Sequence, residues 1–198
     1  MHKKGFTLIE LMVTVTIMMI MTSVVLFDYN TFNDSSVLNN LAYDMSLTIR
    51  QAQVYGTAVR ENGNGTSAGS PITVGSVNNF VSSYGVHFDH NNPNSFTLFT
   101  ADITGTYDPA NVLQTYQFQR GIKISQLCAS YPCLDATTLG TIDIVFKRPD
   151  PEANITASVD GTASVGQVVS SANIVLQNGN GAISKSVVVY STGQISVK

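Results

Sequence analysis

Charged side chains are scarce in this 198-residue sequence: they make up 12% of it, whereas about 25% is typical of soluble proteins. The 13 acidic residues outnumber the 10 basic ones. This acidic balance argues against general nucleic-acid binding, which depends on neutralising phosphates. Serine, threonine, asparagine and glycine are plentiful instead. Such a composition predicts an exposed, β-rich domain whose surface polarity comes from uncharged groups.

Cysteine is also scarce, because Cys128 and Cys133 are the only two in the sequence. A structural metal site normally needs three or four ligands, so this pair could supply at most half of one. The two cysteines lie close together in a polar segment with Pro132 between them. We therefore predict a small disulfide loop on the oxidising side of a membrane. The alternative is a pair of free thiols in a reducing compartment.

Proline and glycine are absent from residues 6–27, and the only charge in this apolar run is Glu10. At about 1.5 Å per residue, a helix of this length spans roughly 33 Å, enough for a hydrocarbon core of about 30 Å. The basic residues His2, Lys3 and Lys4 precede it. This order predicts a cytoplasmic N-terminus and an exported C-terminal domain.

A secretory signal peptide is the main alternative for this segment. Its apolar region would be roughly 7–15 residues long and would end at an Ala-x-Ala-like cleavage site. Here the apolar run is longer, and it leads into Asp28, Tyr29 and Asn30 without small residues at the required spacing. The apolar stretch is therefore expected to remain in the mature protein.

Glu10 is unusual because a carboxylate in an apolar helix costs about 2.5–3.5 kcal/mol on insertion scales. The nearest basic side chain, Lys4, lies six residues earlier. Cleavage between Gly5 and Phe6 would create an α-amino group four residues before Glu10, and residues four apart share a helix face. This ammonium could pair with Glu10 of the same chain or of a neighbour. The alternative is a carboxylate that is protonated or reaches the membrane interface.

Residues 4–11, Lys-Gly-Phe-Thr-Leu-Ile-Glu-Leu, resemble the prepilin signature of type IV pilins and type II secretion pseudopilins. The resemblance implies that a prepilin peptidase cuts between Gly5 and Phe6 and that the Phe6 amine becomes N-methylated. It also implies that Glu10 forms the assembly salt bridge with a neighbouring subunit's N-terminus. The implied partners are other pilin or pseudopilin subunits, the peptidase, an inner-membrane assembly platform and, for the precursor, the membrane.

The next segment has the periodicity of an amphipathic helix that ends near Gly56. Residues 28–36 are poor helix formers, and Asn33, Asp34 or Ser35 could cap a new helix. The sequence is thus compatible with one continuous helix or with two segments joined weakly. The predicted apolar face contains Val37, Leu38, Leu41, Met45, Ile49, Ala52 and Tyr55, opposite a polar face of Asn39, Asn40, Asp44, Arg50 and Gln53.

From residue 57 onward the period changes to short alternating runs separated by turns. The predicted strands are 58–60, 84–88, 95–101, 115–118, 122–127, 141–146, 172–177, 186–190 and 194–197, with mobile loops at 63–83 and 160–171. Thr192-Gly193 predicts a final tight hairpin. The fold class is therefore α+β, a long N-terminal transmembrane helix packed on an antiparallel sheet domain. The expected organisation is a leader at 1–5, a membrane and filament-core helix at 6–27, an amphipathic helix at 28–56 and a β-rich domain at 57–198.

Residues 41–60 and the ending Val-Val-Tyr-Ser-Thr-Gly-Gln-Ile are similar to the GspH/FimT group of minor pilins and pseudopilins. Some members of that group bind DNA through a basic stretch after the last hairpin glycine. Here only Lys198 is basic after Gly193, so DNA is not an expected partner. The resemblance implies a non-enzymatic structural subunit, first inserted in the inner membrane and then assembled into a pilus or pseudopilus. The alternative is a tip-located pilin that binds DNA or a surface.

Other candidate chemistry is weak, and we expect no cofactor and no metal. Gly65-Thr66-Ser67-Ala68-Gly69 fits the nucleophile-elbow pattern but lacks the strand before it and the helix after it. His87, Asp89 and His90 could begin a metal site, and Asp89 with Asn91, Asn92 and Asn94 could supply oxygen ligands to Ca²⁺. A strand end followed by an ordinary turn explains them better. Met18, Met19 and Met21 are interpreted as membrane packing residues.

Overall fold

The computed structural model describes residues 5–58, 83–101, 105–133, 139–159 and 167–198. The fold is α+β, with an N-terminal helix whose first part is apolar and a C-terminal antiparallel β domain. The chain divides into two compact units, Met1–Val37 and Leu38–Lys198. The elements are α1 (Leu8–Thr57), β1 (Ser83–Asp89), β2 (Ser95–Ala101), a 3₁₀ turn (Pro109–Asn111), β3 (Val112–Gln117), β4 (Lys123–Cys128), β5 (Thr141–Phe146), β6 (Ala153–Ser158), β7 (Gln167–Val169), β8 (Ser171–Gln177), β9 (Ser184–Tyr190) and β10 (Ile195–Val197).

Helix α1 has no break in its secondary structure between Leu8 and Thr57. Asn33, Asp34 and Ser35 lie inside it, so the predicted alternative of a second helix capped by one of them is wrong. In the second unit, one face of α1 is fully buried, and it consists of Leu38, Ala42, Met45, Ile49 and Ala52.

The larger sheet has six antiparallel strands in the order β3-β2-β1-β5-β6-β7. Alternate residues of its central strands form one apolar face because side chains along a strand point to opposite sides. Tyr84 pairs with Phe146 and Phe88 pairs with Ile142 across β1 and β5, and all four are buried. The Tyr55 ring of α1 meets Tyr84 edge-on at 5.5 Å, so this face packs on the end of the helix.

The smaller sheet has four antiparallel strands in the order β10-β9-β8-β4. The predicted hairpin at Thr192-Gly193 joins β9 to β10, and Gly193 supplies a φ of 82° that favours glycine. Gln53 of α1 donates from Nε2 to the Pro151 carbonyl at 2.8 Å and to the Gly193 carbonyl at 3.3 Å. These bonds fix the hairpin against the last turns of the helix.

Three of the predictions about strands need correction. Strand β7 lies inside the segment 160–171 that was predicted as a mobile loop, and β6 was not predicted at all. Ala58 was predicted to begin a strand, but it lies in a bend at the end of the helix, where its amide donates to the Val54 carbonyl. The remaining residues of that predicted strand and the loop at 63–82 lie outside the described residues.

Candidate processing and assembly site at the helix N-terminus

The side chain of Thr7 caps the N-terminus of α1 and sets its first residue. The Thr7 carbonyl accepts from the Leu11 amide at 3.2 Å, and the Thr7 hydroxyl accepts from the Glu10 amide at 3.4 Å. Thr7 is therefore the N-cap residue, and Glu10 occupies the third helical position, as in the Thr-x-x-Glu pattern. The sequence analysis missed this role of Thr7, although the four-residue pattern was there to be recognised.

The Gly5–Phe6 bond lies immediately outside the capped helix. A side chain at Gly5 would meet no atom within 4 Å, and the Phe6 side chain is 81% exposed. An exposed segment beside a helix end is the kind of backbone that proteases can bind. The structure thus places the two predicted cleavage residues where the chain can be reached, with the helix beginning two residues after the bond.

The Glu10 carboxylate is exposed in the first turn of α1. Its Oε2 atom accepts a hydrogen bond of 3.5 Å from the Thr7 hydroxyl. The first turn also places the carboxylate near the positive end of the helix dipole. In the described part of the chain no lysine or arginine forms an ion pair with it.

The 19 residues Leu8–Leu26 are long and apolar enough to cross a membrane, and none of this surface is buried inside the molecule. By length and composition alone, a signal sequence would pass the same test. The three threonines of this segment satisfy their hydroxyls within the helix: Thr14 donates to the Leu11 carbonyl at 2.9 Å, and Thr16 and Thr22 donate to carbonyls four residues earlier. The segment therefore exposes few unsatisfied polar groups to an apolar environment.

The cysteine loop lies at the end of β4, where Cys128 and Cys133 form a disulfide with a Cα–Cα distance of 5.7 Å. The buried Asn173 on β8 donates from Nδ2 to the Cys133 sulfur at 3.4 Å. Tyr131 projects from the loop, and the Lys198 ammonium lies 6.0 Å from the centre of its ring. The loop is thus attached to the smaller sheet at both its cysteines and its tip.

His87, Asp89 and His90, which the sequence analysis interpreted as a strand end followed by a turn, lie at the end of β1 and just after it. His87 faces Asp143 on β5, with 2.5 Å between Nδ1 and Oδ1. The His87 ring also stacks on Tyr107, with 3.7 Å between ring centres. Asp143 was missed because 56 residues separate it from His87, and only the β1–β5 register makes them direct neighbours. Asp89 accepts from the Asn91 amide at 2.8 Å, as in an ordinary turn.

No group of three or more potential metal-ligating His, Cys, Asp or Glu side chains occurs within the described residues. The pattern around Ser67 lies outside the described residues. The sites at which chemistry can be discussed are therefore the helix N-terminus, with Gly5, Phe6, Thr7 and Glu10, and the disulfide loop.

Residues 1–26 match the family model described as the prokaryotic N-terminal methylation motif. No curated protein and no solved structure matches the chain. The matched residues contain the capped helix start, the Gly5–Phe6 bond and the exposed apolar helix. The first 26 residues of this chain therefore carry a type IV pilin-like prepilin signature, typical of a prepilin-peptidase substrate.

Proposed function

We propose that this chain is a structural subunit of a type IV pilus or a type II secretion pseudopilus, as a minor pilin or pseudopilin. One observation carries the proposal: an apolar helix with no surface buried in the molecule begins two residues after an exposed Gly–Phe bond within a methylation motif. The sequence resemblance to the GspH/FimT group supports the minor role. The precursor spans the inner membrane once, with its basic head in the cytoplasm and its β domain outside.

Removal of residues 1–5 supplies a charged partner for Glu10. The new α-amino group, which becomes N-methylated, lies on Phe6, directly before the N-cap residue Thr7 and within one helical turn of Glu10 in the sequence. Before cleavage, the carboxylate has the Thr7 hydroxyl as its partner at 3.5 Å. A charged group adds a stronger hydrogen bond than a hydroxyl does. After cleavage, the Glu10 carboxylate can therefore form an ion pair with the Phe6 α-amino group of its own subunit or of a neighbouring subunit.

Assembly buries the apolar surface that the isolated chain leaves open. Copies of residues 8–26 can cover one another in the centre of a filament, as they were covered by lipid in the membrane. Lipid tails are as apolar as the helix, so the transfer gains little from the hydrophobic effect itself. An unpaired Glu10 carboxylate costs about 2.5–3.5 kcal/mol in hydrocarbon. Helix packing and the pairing of Glu10 therefore determine whether the filament is more stable than the membrane-inserted state.

Mass spectrometry of the protein isolated from its native cells tests the processing step. We expect a mature chain that begins with N-methylated Phe6. An intact Met1, or a mature chain that begins beyond Phe27, would rule the proposal out.

The assembly step is tested with Glu10→Gln. This variant keeps the shape of the side chain and a hydrogen bond to Thr7, but it cannot form the ion pair. We expect normal cleavage and a loss of about tenfold or more in filament incorporation, because the variant leaves the Phe6 ammonium without its charged partner, and a loss of about 1.4 kcal/mol corresponds to tenfold. Thr16→Val is the matched control, because that hydroxyl bonds only to carbonyls of its own helix. Equal incorporation of Glu10→Gln and the control would contradict the pairing role.

A further inference from the structure

The two cysteines of the disulfide differ in how far solvent can reach them. Cys128 is the last residue of strand β4, and it is 2% exposed. Cys133 lies at the other end of the loop and is partly exposed. Thiol–disulfide exchange requires that a thiolate reach the sulfur that it attacks. An external reagent can therefore reach Cys133 more readily than Cys128.

Asn173 contacts the disulfide from strand β8. It is buried, and it is the direct partner of Cys128 in the register of β4 and β8. Its Nδ2 atom donates to the Cys133 sulfur at 3.4 Å. Its Oδ1 atom is also buried, and it has no hydrogen-bond partner among the described residues. A buried carbonyl oxygen without a partner is unfavourable, so the presence of an amide at this position needs an explanation.

Reduction of the disulfide would give both polar atoms of the Asn173 side chain a partner. A thiol has one S–H donor. Directly opposite residues of an antiparallel pair have Cβ atoms about 4.5–5.5 Å apart, so Oδ1 of Asn173 can accept a hydrogen bond from an S–H on Cys128. The Nδ2 donor already lies at Cys133, where it would stabilise a thiolate, because a hydrogen bond to the charged form favours that form. Asn173 thereby favours a thiol at Cys128 and a thiolate at Cys133.

We propose that Cys133 is the sulfur through which this disulfide forms, and that Asn173 is a positioning residue that holds the Cys133 thiolate for the reaction. The thiolate attacks a disulfide of an external oxidant, forms a mixed disulfide with one oxidant sulfur, and releases the other as a thiolate. Cys128 then attacks the Cys133 sulfur, and its proton goes to the departing oxidant sulfur. The net reaction oxidises two cysteine thiols to one disulfide and reduces one external disulfide to two thiols.

This reaction requires only that the β domain lie on the oxidising side of the membrane. It does not depend on which filament the chain enters, or on whether residues 1–5 are removed. A failure of the proposed disulfide chemistry is therefore distinguishable from a failure of the proposed function, which the mature N-terminus and filament incorporation test.

Oxidation of the reduced full-length chain in detergent micelles by oxidised glutathione tests which sulfur reacts first. Cys128→Ser and Cys133→Ser each leave one cysteine, and mass spectrometry follows the formation of the glutathione adduct. We expect the adduct to form about tenfold faster on Cys133 than on Cys128, because Cys133 is partly exposed and Cys128 is buried. Equal rates, or a faster reaction at Cys128, would overturn the proposal.

A second measurement on the unchanged sequence removes any effect of these substitutions on folding. The reduced chain is labelled with less than one equivalent of iodoacetamide, and peptide mapping gives the ratio of label on the two cysteines. We expect most of the label on Cys133. An equal distribution, or an excess on Cys128, would overturn the proposal in the same way.

Asn173→Val tests the positioning role, because valine suits a strand but has no amide. The rate of Cys133 alkylation in the reduced chain is measured against pH. We expect this rate to fall about threefold or more at neutral pH, and the midpoint of the pH profile to move upward, because the thiolate loses its donor. Ser171→Ala is the matched control: it removes the bond of 2.9 Å from that hydroxyl to the Ala129 carbonyl, and so loosens the same loop without removing a bond to either sulfur. A pH profile of Asn173→Val that is unchanged, or that moves no further than the profile of the control, would overturn the role of Asn173.

Discussion

Gly56 is the position where a single methyl group should disrupt the packing of α1 on the β domain. A Cβ added there would overlap the carbonyl oxygen of Phe146 and would lie 2.8 Å from both the carbonyl carbon and the Cβ of that residue. Two of these atoms are backbone, so they cannot move aside as a flexible side chain would. We therefore expect that Gly56→Ala forces the last turn of the helix away from β5.

Whether Gly56→Ala lowers or raises the free energy of unfolding distinguishes a steric clash from an effect of helix propensity. In an exposed helix, replacing glycine by alanine stabilises by about 1 kcal/mol. Overpacking against a fixed neighbour costs about 1–3 kcal/mol, and occasionally more. We expect the clash to dominate and the free energy of unfolding to fall by about 2 kcal/mol. For a chain of this size, that lowers the midpoint of thermal unfolding by roughly 4–8 °C.

The assay is thermal unfolding of the full-length chain in detergent micelles, followed by the circular dichroism of the β domain. Gly179→Ala is the matched control, because the nearest atom to its added Cβ would be 3.6 Å away, an ordinary contact distance. We expect the control to unfold within about 0.5 kcal/mol of the unchanged chain. Gly56→Ala that is as stable as wild type, or more stable, would refute the close approach between α1 and β5.

Three further changes probe other contacts by urea unfolding of the same chain. Replacing Cys128 and Cys133 by serine should cost about 2 kcal/mol, because the disulfide closes a loop of only a few residues; no change in the presence of an oxidant would contradict the bridge. Asp143→Ala should cost about 2 kcal/mol, since it leaves the mostly buried His87 without its partner, whereas Asp143→Asn, which keeps an acceptor, should cost less. Gln53→Ala should cost about 1 kcal/mol through the loss of its two bonds near the last hairpin. Equal effects of the two Asp143 variants, or a neutral Gln53→Ala, would contradict these contacts.

Local sequence patterns predicted those helices and strands whose formation depends mainly on their own residues. The apolar run and its stripe predicted helix α1, and alternation predicted β2 and β5 with the bounds that the structure shows. Strand β6 also alternates, with Ala153, Ile155 and Ala157 buried, but two alanines give a weak hydrophobic signal. Strand β7 has three residues and pairs with β6. Such a short strand depends on its partner more than on its own sequence.

The same distinction applies to the candidate sites. Gly5, Phe6 and Glu10 lie within six residues, so a linear motif could identify them, and the Thr7 cap belonged to the same motif. The pairing of His87 with Asp143 requires the register of two strands that are distant in the sequence. The exposed apolar residues Tyr43, Leu47 and Val54 of α1 were missed for a third reason. They fit a helical period, but only the position of the β domain shows which of the two apolar stripes of the helix it covers.

The distribution of polar groups along α1 explains how one helix could serve in lipid and in a filament. The hydroxyls of Thr14, Thr16 and Thr22 bond to carbonyls of their own helix, so exchanging lipid for protein around them costs little. Glu10 is different, because the partner proposed for it, an ammonium on Phe6, would exist only after the proposed cleavage. Under the proposed function, the uncut chain lacks the interaction that favours the filament, and the cut chain has it. Cleavage then controls assembly through one charge near the helix start, without any change in the β domain.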